Sequence, residues 1–399
     1  MKTRDSGLVK NENIFDVMVV GAGPAGAMAA YHAAVGGCRV VMIERKEKVG
    51  VPVRCGEAVG SKGFTRSLAV EKHWILSTIK SIRMVSPAGY KVDLVNRNRI
   101  GQNYVLNREI MDDELVRKAV TAGVTYIPST TVMNISCSGR YHYTAATTGD
   151  SYEASSVIIA DGVESKCARN LGWDTTLELE DIESCAFCHV THDLIDNETI
   201  EFHVGNSIAP GGFVWVFPRG GKKANVGLGI LGTQSEGGRA KDLIVSFVKA
   251  KFPGAEISDV HCGGAPVGKW LKPLVRGGAL VVGDAARQVN SLTGGGIAYA
   301  MFAGKTAGET VAEARNNTGF NYQQFTNYQK KWAAYCGKQQ IRSYALKTTL
   351  LKENNDRFFD TIARSLLKEN PEQLSYMRVF MRTFYKHPLI LLKTFFLFR

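Results

Sequence analysis

The chain has 399 residues, 45% of them hydrophobic and 22% charged, values of an ordinary globular protein that exclude a disordered or fibrous chain. Its length suits two or three domains. The formal charge of +12 admits nucleic acid, an anionic membrane surface or an acidic substrate without choosing among them. Residues 1–13 are polar and lack an apolar signal-peptide core, so an exported protein is not expected. The eight cysteines are then expected reduced and not a disulfide framework.

In chain order, Phe15 to Val20 is a short, continuous apolar run, as in a parallel strand buried on both faces. Gly21-Ala-Gly23-Pro-Ala25-Gly26 follows at once, then a small-residue helix from Ala27 to Ala34. A second buried strand runs from Arg39 to Ile43 and ends in Glu44. Glu109 to Ala122 has a helical period. Ser156 to Ala160 and Ala279 to Val282 are further short strands, leading into Asp161-Gly162 and Gly283-Asp284. From about Leu177 to Ala265 apolar and polar residues alternate between glycine turns, as in an antiparallel sheet. From Tyr322 onward helical periods dominate.

The glycines of Gly21, Gly23 and Gly26 have distinct uses. The first makes a tight turn, the second lets backbone N–H groups approach a pyrophosphate, and the third lets helix and strand pack closely. Glu44, about 20 residues on, is where a ribose hydroxyl is bound in such units. A dinucleotide is therefore expected. Asp284 and Asp161 stand at strand carboxyl ends, where open α/β sheets bind ligands; Asp161 reads equally as a turn residue.

Together the glycine loop, Gly283-Asp284 and Asp161-Gly162 resemble the fingerprints of the flavoprotein hydroxylase superfamily, in which the Asp matching Asp284 binds the ribityl chain of FAD. Pro52-Val-Arg54-Cys55-Gly56-Glu57, Phe213-Val-Trp215-Val-Phe217-Pro218 with Asn225-Val-Gly227, and Thr293-Gly294-Gly295-Gly296-Ile297 resemble the geranylgeranyl reductase family, and within it the archaeal-type digeranylgeranylglycerophospholipid reductases. Ser291, Phe213 and Ala58 depart from proline, tyrosine and glycine that are common in the family. The resemblance implies a Rossmann-type FAD-binding domain over 13–83, 104–175 and 266–318. An inserted antiparallel catalytic domain covers 84–103 and 176–265, and a helical region 319–399. It implies FAD contacts at Ala25, Glu44, Cys55, Gly56, Ala58, Arg108, Val132, Asp284, Gly296 and Ile297. It implies saturation of prenyl C=C bonds, with a quinone tail or a chlorophyll-pathway group as alternative substrates, and NADPH, ferredoxin or a quinol as electron donor. A flavin monooxygenase and a membrane electron carrier are the remaining alternatives.

Cys55 reads as a proton donor or as a small apolar residue beside the flavin; Glu57 is the rival acid. Phe213, Trp215 and Phe217 alternate, so they share one sheet face and wall an apolar chain or fill a core. Arg108 begins a helix and either reaches a phosphate or lies in solvent. Cys185-Ala-Phe-Cys188-His189 has haem-attachment spacing but reads as strand, and no metal site is expected. Gly304-Lys305-Thr306 lacks a P-loop's first glycine, since Tyr299 stands there. Nothing indicates nucleic-acid recognition.

After Glu372 there is no acidic residue, while Arg378, Arg382, Lys386, Lys393 and Arg399 alternate with Phe380, Phe384, Phe395, Phe396 and Phe398. Such a segment suits an anionic membrane interface, or a helix docked on the core with a basic outer face. A cytoplasmic protein resting on the membrane is expected. Deleting residues 376–399 is then expected to weaken sedimentation with anionic liposomes, more at low salt than at high, because each basic residue near the surface contributes about 1 kcal/mol.

Overall fold

The computed structural model describes residues 14–95, 103–139, 141–316, 319–352 and 355–368. The basic segment after Glu372 lies outside them.

Two sheets organise the chain. The first has the order Val275–Arg276, Ala279–Val281, Ser151–Ile159, Ile14–Val20, Val40–Ile43, Thr125–Ile127. Its middle is parallel, with Val19 beside Ile158 and Met18 beside Val41. Val17, Met18 and Val19 are wholly buried, as a strand covered on both faces requires. A hairpin, Val132–Ser138 with His142–Thr147, pairs with Ser151–Ile159; the sequence reading did not contain it.

The helix Pro24–Val35 starts with proline in its first turn, where a missing N–H costs nothing. It packs on Ile297–Ala314 at backbone distance. A Cβ on Gly304 would stand 2.1 Å from the Ala25 carbonyl oxygen, and one on Gly308 2.4 Å from that of Ala29. Those glycines are there for helix contact, and Lys305 merely pairs with Glu309 at 2.8 Å.

The second sheet is largely antiparallel, in the order Glu256–Ile257, Ile182–Thr191, Lys223–Leu231, Phe213–Gly220, Thr199–Val204, Ser81–Val85, Lys91–Val95. His261–Pro266 also pairs with Ile182–Thr191. Its outer face carries Val214, Val216, Val226 and Leu228, packed on the helix Arg239–Lys251. That helix lies inside the segment read as sheet. Its Ala240, Ile244 and Val248 point inward four residues apart, a helical stripe that the surrounding alternation masks. Ser81–Val85 runs beside Thr199–Val204, so the boundary expected at 83/84 falls inside a strand; the second sheet takes over at Ser81. A small sheet of Ala58–Gly60, Asn103–Leu106 and Ile75–Ile79 gives Val59 and Leu106 to the core of the first sheet and Ile79 and Val105 to the aromatic cluster of the second.

The helices after Tyr322 dock on this frame. From Lys338–Lys352, Lys347 is buried and donates through Nζ to the carbonyls of Glu180 at 2.8 Å and Val267 at 3.0 Å. Gln340, also buried, donates to the carbonyls of Arg287 and Gly268.

Gly304→Ala tests the helix contact. In an open helix that change gains about 1 kcal/mol. Against backbone at 2.1 Å the clash wins, and a net loss of about 1–3 kcal/mol in urea unfolding is expected.

Candidate active site

The three loop glycines separate by what surrounds them. Gly21 has φ +96°, and a Cβ there would stand 2.3 Å from the Ala160 carbonyl oxygen. On Gly26 it would stand 1.9 Å from the Gly21 oxygen. On Gly23 it would meet nothing within 4 Å, because that side opens into a cleft of about 320 Å³. Glu44, Arg54, Arg108, Val132 and Asp161 line the same cleft. Glu44 is buried, with Oε2 accepting from the Ala22 N–H at 2.8 Å and Oε1 from the Lys46 N–H at 3.0 Å.

Asp161 accepts from the Cys167 N–H at 2.9 Å through Oδ2, while Oδ1 is buried with no partner among the described residues. Burial pushes its carboxyl up. It is thus a turn residue beside the cleft whose second oxygen is left without a donor among the described residues. Burial also raises Asp284, with Arg108 pulling the other way. Asp284 Oδ1 lies 3.4 Å from where a Cβ on Gly296 would be, against the residue that precedes the helix Ile297–Ala314. An open glycine, a fixed carboxylate at a strand end, an orphaned acceptor and basic lining residues fit a dinucleotide.

Arg108 opens the helix Arg108–Thr121 and is largely enclosed at the cleft, its side chain 12% exposed. It donates to Asp112 through Nε at 3.0 Å and Nη2 at 2.8 Å. The guanidinium also faces the Cys55 thiol, which burial pushes up and Arg108 pulls down. The Cys55 sulfur accepts from the Glu57 N–H at 3.2 Å. Ala58 begins the short strand after this turn, and Ala25 and Ile297 are buried in the helix contact beside it.

Glu57 is buried with φ +70°, a conformation that a non-glycine residue holds only when its surroundings fix it. Its Oε2 accepts from Arg219 Nη1 and from Asn225 Nδ2 at 3.2 Å. Asn225 Nδ2 also donates to the Cys55 carbonyl at 2.9 Å, and Asn225 Oδ1 accepts from Trp215 Nε1 at 2.9 Å. The two acids that sequence leaves as rivals thus have different surroundings. Cys55 is beside Arg108, and Glu57 is an ion-pair partner of Arg219. Neither Arg219 nor Asn225 was singled out as a site residue, since only the fold brings them to Glu57.

The inner face of the second sheet is ordered in rows. Cys185, Gly229 and Phe213 form one, Phe187, Gly227 and Trp215 the next, and His189, Asn225 and Phe217 the third. Trp215 and Phe217 stack with ring centroids 6.0 Å apart. Gly227 admits the indole, since a Cβ there would stand 2.3 Å from it. The wall meets the turn at Gly56, where a Cβ would lie 3.0 Å from the Phe217 ring. Cys185 and Cys188 point to opposite faces of their strand, each a free thiol. Burial, Arg219 and His261 hold His189 down to about 4.

One further residue of this face escaped the sequence reading. Glu183, 5% exposed, stands one step beyond Cys185 in the same alternation. Its Oε2 lies 2.7 Å from where a Cβ on Gly229 would be and 3.8 Å from where one on Gly294 would be. Burial pushes its carboxyl up to about 7, with Lys347 pulling it back. An acid at an inward strand position, with a glycine on the neighbouring strand diagonal to it, is the signal that marks it. Among the described residues no group of three or more His, Cys, Asp or Glu side chains could hold a metal ion, and no helix is long and apolar enough to cross a membrane.

Residues 181–267 match the family described as geranylgeranyl reductase catalytic domain, and residues 16–203 that described as glucose inhibited division protein A. A digeranylgeranylglycerophospholipid reductase of Methanosarcina mazei is 38% identical over 380 residues, 93% of each chain. That of Methanosarcina acetivorans is 40% identical over 365 residues, 89% of each. The chain belongs to the geranylgeranyl reductase family. A solved structure of a geranylgeranyl bacteriochlorophyll reductase-like protein from Thermoplasma acidophilum has a TM-score of 0.88 and 27% identity, covering 96% of this chain and 99% of that one. This geranylgeranyl reductase is a flavin-binding oxidoreductase with a Rossmann-type domain, an inserted antiparallel domain and a helical C-terminal region.

In this reductase, Arg219→Ala would leave the Glu57 carboxylate buried without its guanidinium. A loss of about 3–5 kcal/mol in denaturant unfolding is expected, with part recovered in the Glu57→Gln/Arg219→Ala double variant.

Proposed function

We propose that the protein is an FAD-dependent reductase that saturates the C=C bonds of geranylgeranyl chains, those of a digeranylgeranylglycerophospholipid in membrane ether-lipid synthesis. The observation that carries this reading is near-full-length likeness to digeranylgeranylglycerophospholipid reductases, at 38% and 40% identity. A buried aromatic wall that meets the Cys55-Gly56 turn supports it. Gly21, Gly23, Gly26 and Ala25 would hold the FAD pyrophosphate, Glu44 the ribose, Val132 and Arg108 the flanks of the cleft, and Asp284 the ribityl chain. Cys55, Gly56, Ala58, Gly296 and Ile297 would surround the ring. Reduced FAD supplies a hydride.

The remaining tasks fall to the chain. An isolated alkene is poorly polarised, so alignment and dryness must supply much of the rate. Phe213, Trp215 and Phe217 exclude water and fix the prenyl chain. Cys55, its thiol pushed up by burial, stays neutral at physiological pH and sets the spacing beside the ring. Glu57, tied to Arg219 and Asn225, anchors the turn that carries Cys55. NADPH, ferredoxin or a quinol reduces the cofactor, and the basic segment 376–399 holds the enzyme on the cytoplasmic face of an anionic membrane.

Purified protein, reduced with dithionite and mixed without oxygen with a digeranylgeranylglycerophospholipid, is expected to add two hydrogens per double bond by mass spectrometry. Asp284→Ala is expected to lose most of its bound FAD. A reduced flavin that leaves the lipid mass unchanged would sink the substrate reading.

A further inference from the structure

We propose that Glu183 is the acid that protonates the alkene, an assignment that rests on the prenyl-chain reading. Glu183 is more than nine-tenths buried, and among the described residues its carboxyl takes no hydrogen bond. It lies on the inner face of the second sheet, on the strand that carries Cys185 and Phe187. The carboxyl occupies the room that Gly229 leaves by having no side chain, 2.7 Å from the Cβ position there. From that room it turns to the Gly294–Gly296 run, which abuts Asp284. It therefore sits between the aromatic wall and the loop assigned to the flavin ring, the two surfaces between which the alkene must lie.

The other acids are less suited. Cys55 is a thiol made a weaker acid by burial. Glu57 Oε2 accepts from Arg219 and Asn225, an ion pair that takes up its charge, while its Oε1 is buried with no partner among the described residues. Asp161 and the Glu44 carboxylate serve the nucleotide cleft.

The step balances. The alkene takes a hydride, with its electron pair, from the reduced flavin on one carbon, and a proton from the Glu183 carboxyl on the other. The C=C π bond, the hydride-bearing N–H bond of the reduced flavin and the carboxyl O–H bond break, and two C–H bonds form. Flavin is left oxidised and Glu183 ionised, to be reprotonated from water.

Burial favours the neutral carboxyl, and Lys347, from the helix Lys338–Lys352, opposes it. The other titratable group shown to face it is Cys185 on its own strand, on which Cys55 of the turn and Cys262 of the neighbouring strand act in turn. Asp181 and Glu180, on the turn before the strand, act on Lys347. With a folded value near 7 against 4.5 for the free group, the bound proton contributes stability that is fully present below 4.5 and lost as pH rises through 7.

The test uses flavin-loaded wild type, Glu183→Gln and Glu183→Asp. In thermal unfolding, wild type is expected to lose stability relative to Glu183→Gln as pH rises from about 4.5 to 7, and to run parallel above. In anaerobic reoxidation of the dithionite-reduced proteins by geranylgeraniol, the wild-type rate is expected to fall about tenfold per pH unit above 7. Glu183→Gln is expected to be slower by about 10²–10⁴-fold and flat with pH, with Glu183→Asp between. A Glu183→Gln protein that keeps the wild-type rate and pH profile overturns the assignment. So does one whose stability follows the same pH course as wild type. A wild type that reduces normally but is not reoxidised by the prenyl alcohol overturns the substrate reading instead, and the acid role with it.

Discussion

The Glu57 carboxylate is the point on which both halves of the site depend. It hangs from the turn that follows the nucleotide cleft, yet its partners Arg219 and Asn225 belong to the second sheet. A buried charge of this kind is a weak source of net stability, because desolvation offsets most of the attraction. What it supplies is position. Asn225 grips the Cys55 carbonyl with the same amide and receives the Trp215 indole N–H. One carboxylate thus fixes the turn, the aromatic wall and the distance between them. The left-handed backbone at Glu57 is held by that same partner set.

Glycine has two opposite uses around this node. At Gly304 and Gly308 the missing side chain brings helices together. At Gly227 and Gly229 it removes bulk from a strand, and the room is taken by Trp215 and by Glu183. Glycine weakens a strand interior, so such placement marks a surface shaped for something other than stability. The helix Lys338–Lys352 closes the arrangement from behind. Lys347 holds the carbonyl of Glu180, before the strand Ile182–Thr191, and with Gln340 those of Val267 and Gly268, between the sheet and the Gly294–Gly296 loop.

Much of this was legible in the residues. The first strand, its glycine turn and Glu44 form a local unit, and local order is written in neighbouring letters. The alternation of Phe213, Trp215 and Phe217 put them on one face before any coordinates. What could not be read depends on distant pairings. Arg219 is an ordinary surface residue until the turn at Glu57 is folded against it. Arg108 reads equally as a phosphate ligand or a solvated residue until Asp112 and the cleft enclose it. The helix Arg239–Lys251 vanished among strands because its inward stripe is short and its neighbours alternate. Glu183 looked like any polar residue of a strand, since the room it takes is left by Gly229 and the charge acting on it comes from Lys347, both far away in the chain.

Glu44 has a consequence for the kinetics of cofactor uptake. Both of its oxygens already accept from backbone N–H groups of the glycine loop and of the turn after its own strand. The loop is therefore cross-braced before any ligand arrives, and each oxygen keeps a further lone pair for a donor. Little conformational entropy is left to be removed on association. On the FAD assignment proposed above, capture by such a cradle would be governed by diffusion and electrostatic attraction into the cleft, not by a slow ordering step of the protein.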